Sequence, residues 1–202
     1  EPIGLVFSSI ASLLWFINSI YSVGYLRGNS EQNQTRFYAY VSLSIFAVMG
    51  IAFASNLFTF FLFYELLTFL TYPLVTHNGS SNAKQGGKIY LGLLLFTSIC
   101  FLLLAICVTY SLAGTLDFIK SGILPTDLSN TEITILLLIF CLGVGKAALF
   151  PFHGWLPAAM VAPTPVSALL HAVAVVKAGV FGIIKIIVYI FGINYLQEIT
   201  AI

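Results

Sequence analysis

Between Gly145 and Phe181 the chain reads GKAALFPFHGWLPAAMVAPTPVSALLHAVAVVKAGVF, which sets Lys146, His153, His171 and Lys177 within or beside apolar sequence. Upstream, Glu65 stands alone as a carboxylate in NLFTFFLFYELLTFLTYPLV. A charge at the centre of a bilayer costs about 2.5–3.5 kcal/mol on insertion scales, so each such group needs a polar partner, a water-filled cavity or neutralisation. Each of these remedies also makes a group that can take up and release a proton. Glu65 and Lys146 are the natural charge pair, since protonating one member changes the proton affinity of the other. The competing reading of Glu65 is a neutral, hydrogen-bonded acid that fixes helix packing.

His171 and Lys177 are six residues apart. On an ideal helix that is about 120° and about 9 Å, too far for direct contact but bridgeable by water or a third group. His171 reads either as a satisfied core histidine or as a group titrating near physiological pH. Lys185 and His153 are accessory candidates. Lys185 follows His171 by fourteen residues, within about 40° of the same face and about 21 Å along the helix, and is expected to snorkel to the outer interface. His153, beside Pro151 and Trp155, reads as structural or interfacial.

Helices must position these groups. With 59% hydrophobic and 7% charged residues and a mean hydropathy of +1.02, the chain is excluded from the ordinary soluble class and reads as an all-α polytopic membrane protein. Taking about 20 apolar residues per crossing gives about six transmembrane helices. They run Ile3–Tyr25, Phe37–Ala54, Leu57–Thr76, Ile89–Leu112, Ile133–Phe150 and Val166–Phe191, with a tight turn at Ser55 and Asn56. Pro151, Pro163 and Pro165, with Pro157, break the helix after the fifth span, and a short helix or re-entrant piece is expected between Phe152 and Met160. A broken helix flanked by lysines suggests a polar passage, because unpaired backbone in lipid is tolerated only against protein or cavity water.

Alternating the spans puts Arg27, Arg36, Lys84 and Lys88 on one side against Lys120 on the other, which makes the first side cytoplasmic. Glu1 and the end near Glu198 then lie outside. Asn33-Gln34-Thr35 and Asn78-Gly79-Ser80 match a glycosylation pattern on the cytoplasmic side and read as chance. The net charge of +1 and the absence of a basic run speak against a nucleic-acid partner. Cys100, Cys107 and Cys141 have neither metal nor disulfide spacing and read as packing residues. With no glycine-rich dinucleotide fingerprint, no cysteine cluster and no metal pattern, no cofactor is expected. The chain opens at Glu1 without a positive n-region and does not read as a cleavable signal peptide.

The run GKAALFPFHGWLPAAMVAPTPVSALLHA, with FYELLTFLTYPLV upstream, closely resembles the antiporter-like, proton-translocating membrane subunits of respiratory complex I (NADH:quinone oxidoreductase) and of Mrp-type multisubunit cation/proton antiporters. The resemblance extends from about Phe37 to Phe191. It implies a polar axis within an energy-coupling membrane, built from inverted five-helix repeats that each carry a broken helix. It also implies that Glu65 pairs with the broken-helix Lys146 and that His171 and Lys177 relay protons onward. On this reading residues 1–36 form a leading helix and cytoplasmic loop, 37–191 the translocating domain of the first repeat, and 192–202 a tail.

Three readings follow. One is a half-channel of a cation/proton antiporter, with other membrane subunits as partners and protons, and in that setting Na+, as the ions carried. The second is a membrane-arm subunit of NADH:quinone oxidoreductase, not catalytic alone. The third is a split-gene product or decayed structural fragment, since the match covers only the first repeat.

Overall fold

The computed structural model of this chain describes residues 2–192. Its elements are helical throughout: α1 (Pro2–Gly28), α2 (Gln34–Phe53), α3 (Leu57–Val75), α4 (Ser81–Thr97), α5 (Leu103–Ala113), α6 (Asn130–Gly143), α7 (Trp155–Ala159), α8 (Thr164–Ala168) and α9 (Val175–Ile186). Wide π turns at Ser98–Leu102, Leu169–Val173 and Ile187–Phe191 join α4 to α5, lead from α8 towards α9, and extend α9. Five stretches are long and apolar enough to cross a membrane: Pro2–Gly28, Gln34–Phe53, Leu57–Val75, Ser81–Ala113 and Thr164–Phe191. At fourteen residues α6 is shorter, about 21 Å against about 30 Å of hydrocarbon. Its crossing is continued by the non-helical link, two short 3₁₀ turns and α7.

The bundle is apolar on its surface as well as in its core, and buried hydroxyls are set among the core side chains. Large apolar side chains such as Ile10, Phe16, Phe46, Phe69 and Leu138 face outward, whereas Ser22, Ser44, Thr68, Thr71, Thr97, Ser98 and Thr109 are buried. These hydroxyls cost little inside because each donates to a carbonyl about one turn back, as Ser22 does to Asn18 at 2.6 Å and Thr109 to Ala105 at 2.8 Å. Start signals lie where the chain re-enters lipid. Asn56 accepts from the Thr59 amide, Ser80 from the Ala83 amide, and Ser129 with Glu132 forms a reciprocal capping box.

Two ends emerge. The connection from Asn29 to Arg36 meets the segment from Tyr72 to Lys88, so Arg36, Lys84 and Lys88 share one end, as the charge asymmetry anticipates. At the other end Leu57 N donates to Leu116 O, Phe118 N to Ser55 O and Ile123 N to Ile190 O, drawing the connection that holds Lys120 over the α2–α3 turn and the end of the last span. The Ser55–Asn56 turn is present, and α4 begins at Ser81 rather than Ile89.

Four further expectations change. The fifth span does not run to Phe150: α6 stops at Gly143, and the break lies at Val144, seven residues before Pro151. At its end the helix packs directly on the π turn, since a Cβ on Gly143 would run into the backbone of Leu102, and the turn that follows carries Lys146 to Tyr64 and Thr68 of α3. Pro163 and Pro165 start a helix instead of breaking one, Pro163 as the N-cap of α8 and Pro165 in its first turn, where a missing amide hydrogen costs nothing.

Lys185 does not snorkel. It is 1% exposed and its ammonium donates to Ala54 O at 2.6 Å, 4.3 Å over the Phe118 ring. The end of α2 leaves that carbonyl free, and the outer connection covers it. Cys100 and Cys107 face outward instead of packing in the core. Seven residues apart, they share one face of the helix. Glu1, Glu198 and the tail from 193 onward lie outside the described residues.

Gly179 of α9 lies against the break, where a Cβ would collide with the backbone of Lys146 and Ala147. Gly179→Ala is therefore expected to destabilise the purified protein by about 1–3 kcal/mol through overpacking, read as a lower midpoint of thermal unfolding. An unchanged midpoint would contradict the close approach.

Candidate functional site

The site forms where α6 ends. Val144 leaves the helical region at φ −83°, ψ 56°, and Gly145–Ala147 makes a single 3₁₀ turn. Trp155 of α7 is buried behind the turn and donates its indole N–H to Gly145 O at 2.9 Å. Its ring meets Tyr90 of α4 edge-on, with centroids 5.5 Å apart. The broken strand of helix is thus held from one side by α7 and from another by α9 through Gly179.

Lys146 sits in this turn with 0% exposure. Its ammonium donates to Thr68 Oγ1 at 2.6 Å and lies 3.4 Å from the centre of the Tyr64 ring. Its backbone amide donates to the Tyr64 hydroxyl at 3.0 Å. Tyr64 and Thr68 are one turn apart on α3, so a single helix face supplies a hydroxyl acceptor and an aromatic face for one buried cation. A lysine ammonium has three donors; with one given to Thr68, the others find no protein acceptor among the described residues. Further along the same helix, the Thr71 and Tyr90 hydroxyls meet at 2.6 Å.

Glu65 lies between Tyr64 and Thr68 in sequence, and both of its carboxyl oxygens are buried without a hydrogen-bond donor. It makes no hydrogen bond to Lys146. An ionised carboxylate without donors is costly in this setting, so Glu65 depends on a counterpart to carry charge.

His171 lies within the π turn Leu169–Val173, half-buried, with Nε2 buried and unpartnered. A wide turn of this kind marks an interruption of the regular ladder and is frequent at functional positions. Lys177 is exposed. It stands two residues before Gly179, about 200° around the helix, so the face of α9 that meets the Lys146 turn is not the one that carries Lys177. There it lines a cavity of about 330 Å³ between α1 and α9, otherwise apolar, with Ile3, Phe7, Ala11 and Phe181 among its walls. His153 is exposed and stacks on Phe150 at 6.0 Å. Among the described residues no three metal-ligating side chains cluster.

The structure therefore brings Lys146 to the helix that bears Glu65, and sets Lys177 on the other side of α9. Tyr64, Thr68, Thr71, Tyr90 and Trp155 were not singled out from the sequence. The signal available for two of them was the spacing of Tyr64 and Thr68 on either side of Glu65.

Residues 54–202 match the family model described as NADH:quinone oxidoreductase/Mrp antiporter, TM. A protein of Staphylococcus aureus (strain MRSA252), whose name marks it as antiporter subunit mnhA2, is 31% identical over 211 residues, covering 100% of this chain and 26% of the relative. The mnhA2 protein of Staphylococcus saprophyticus is 33% identical over 212 residues, with the same coverage of 100% and 26%. This chain thus spans about a quarter of the length of these relatives.

Among solved structures, the Mrp complex from Dietzia sp. DQ12-45-1b aligns with a TM-score of 0.83 at 26% identity, over 98% of this chain and 22% of that one. The archaeal membrane-bound sulfane sulfur reductase aligns at 0.79 over 95% of this chain and 39% of that one, and at 23% identity it shows the shared fold alone. The family match takes in well over half of the chain, and so the chain belongs to the family of NADH:quinone oxidoreductase and Mrp antiporter transmembrane subunits.

Proposed function

We propose that this chain is a proton-translocating half-channel of a multisubunit cation/proton antiporter, with residues 37–191 as the translocating domain and the leading helix packed beside it. The observation that carries this reading is the fully buried Lys146 in a helix break, held by Thr68 and Tyr64 on the helix that also bears the unpartnered Glu65. The antiporter setting is preferred over the complex I one because the relatives above 30% identity are named as antiporter subunits.

The chemistry follows from the charges. With a proton on Lys146, the Thr68 oxygen, the Tyr64 ring face and an ionised Glu65 all favour the cation. Protonation of Glu65 removes the through-space attraction and makes the Lys146 proton easier to give up, so the two sites exchange states as a coupled pair. His171 then serves as the next station, its buried Nε2 needing a proton or an acceptor. Lys177, on the far side of α9, passes the proton sideways within the membrane towards a polar group of another helix in the assembled complex. In an antiporter this transfer is exchanged against a cation such as Na+, handled with partner subunits. Pro151, in the connection after the break, cannot give the amide hydrogen bond that a continuous helix would need, and Pro163 and Pro165 set the start of α8.

Lys146→Met and Glu65→Gln, each made in the assembled complex, are expected to reduce proton-coupled transport to background while the chain still inserts; retained transport in both variants would rule out the pair. Thr68→Val removes the hydroxyl that accepts from the ammonium, a charge-assisted bond worth about 1.5–3 kcal/mol. Transport should fall roughly ten- to a hundredfold, with Thr68→Ser restoring it. Equal rates in Thr68→Val and the unmodified protein would show that the hydroxyl has no part in holding Lys146.

A further inference from the structure

Away from the Lys146 site, the cytoplasmic end of the bundle holds a polar cavity of about 800 Å³. Its walls come from three places: the connection from Asn29 to Asn33 with Arg36 of α2, the end of α3 at Tyr72 and Pro73 running on to His77, and Lys84 and Lys88 of α4. Lys84 and Lys88 are four residues apart and share one face of their helix. Ser80 caps the N-terminus of that seventeen-residue helix, whose dipole adds positive potential on the same side. Against these three cations the lining holds one carboxylate, Glu31. Among the described residues, no protein group accepts a hydrogen bond from the side-chain ends of Arg36, Lys84 or Lys88.

His77 gives the cavity a more specific character. It is 8% exposed and its ring is fixed edge-on against Phe37, with centroids 5.4 Å apart. Its Nδ1 is buried with no protein partner, although the residue lines an open polar space. Burial, reinforced by the nearby Arg36, holds the His77 pKa below its usual value, against the opposing pull of Glu31 and of a hydrogen bond to the Gln32 backbone. An anion in the cavity would supply a counter-charge for Arg36, Lys84 and Lys88 and an acceptor for a proton on Nδ1 at the same time. A phosphate fits this demand: its oxygens accept from guanidinium, ammonium, imidazole and helix N-terminal groups alike. The cavity floor, Tyr72 and Pro73, belongs to a membrane-spanning helix, and its rim is solvated loop, which is the level at which lipid headgroups lie.

We propose that this cavity is a phosphate-binding site at the cytoplasmic membrane surface, with Arg36, Lys84, Lys88 and His77 as its ligands and the headgroup of an anionic phospholipid as its natural occupant. It stands apart from the proton reading: Lys146→Met should leave binding unchanged.

The test uses the assembled complex purified from its membrane and placed in nanodiscs of phosphatidylcholine, with phosphatidic acid titrated in, or with inorganic phosphate added to the phosphatidylcholine discs. Binding is read as saturable broadening or shift of the phosphorus NMR signal. The expected result is saturation by phosphatidic acid, weakened at least about tenfold in Lys84→Gln/Lys88→Gln and also in His77→Phe, which keeps an aromatic ring against Phe37. Saturation by inorganic phosphate with the same variant dependence would support the site and assign it to a soluble phosphate. Binding of equal strength in both variants, or no saturation by either probe, would overturn the proposal.

Discussion

An ammonium group fully enclosed by a membrane-spanning bundle is the constraint on which this architecture rests. Lys146 has no exposure, and its cost is met by a hydroxyl and an aromatic face from α3, not by a carboxylate in contact. That solution needs the backbone to leave the helix just before the lysine, so that the side chain can reach α3 while its own amide finds the Tyr64 hydroxyl. The break then needs close neighbours to cover its loosened backbone. Gly143 against Leu102, Trp155 on the Gly145 carbonyl and Gly179 against Ala147 provide that cover. These contacts come from the π turn after α4, from α7 and from α9, so one buried charge determines how most of the elements meet.

The second buried lysine solves the same problem differently. Lys185 takes a carbonyl freed at the end of α2 and an aromatic ring from the outer connection, an arrangement that ties the last span to the α2–α3 turn. Lys177 is solved by neither device. It points into an otherwise apolar space between α1 and α9, which is why its role is assigned to contact with another helix of the complex. Three lysines in apolar sequence thus have three environments, and only Lys146 combines full enclosure with a nearby unpartnered carboxylate.

The class, the six crossings and the grouping of Arg36, Lys84 and Lys88 at one end were legible in the sequence because lipid imposes length and charge rules on each span separately. The resemblance in the GKAALFPFHGWLP run located the break region, but not the break itself. Prolines mark where a helix is disfavoured, whereas the actual stop at Val144 is accompanied by contacts with residues far away in the chain, Gly143 against Leu102 and Lys146 against Tyr64 and Thr68. Lys185 was misread for a similar reason: helical periodicity gives a residue's height and face, but its acceptor lies 131 residues away in sequence. The partners of Lys146 are 78 and 82 residues away, and the local signal for them is limited to the spacing of Tyr64 and Thr68 on either side of Glu65. Periodicity likewise could not say which face of α9 is covered, and so could not separate Lys177 from the Lys146 turn.

In the proposed pair, Lys146 carries a proton whose hold depends on Glu65. The most direct measurement is nitrogen-15 NMR of the Lys146 ammonium in the assembled, lipid-embedded complex, titrated with pH in the unmodified protein and in Glu65→Gln. Lys146 is expected to change protonation within the working pH range, with a midpoint that moves when Glu65 is replaced. A Lys146 that keeps one protonation state throughout, or titrates identically in both proteins, would contradict it.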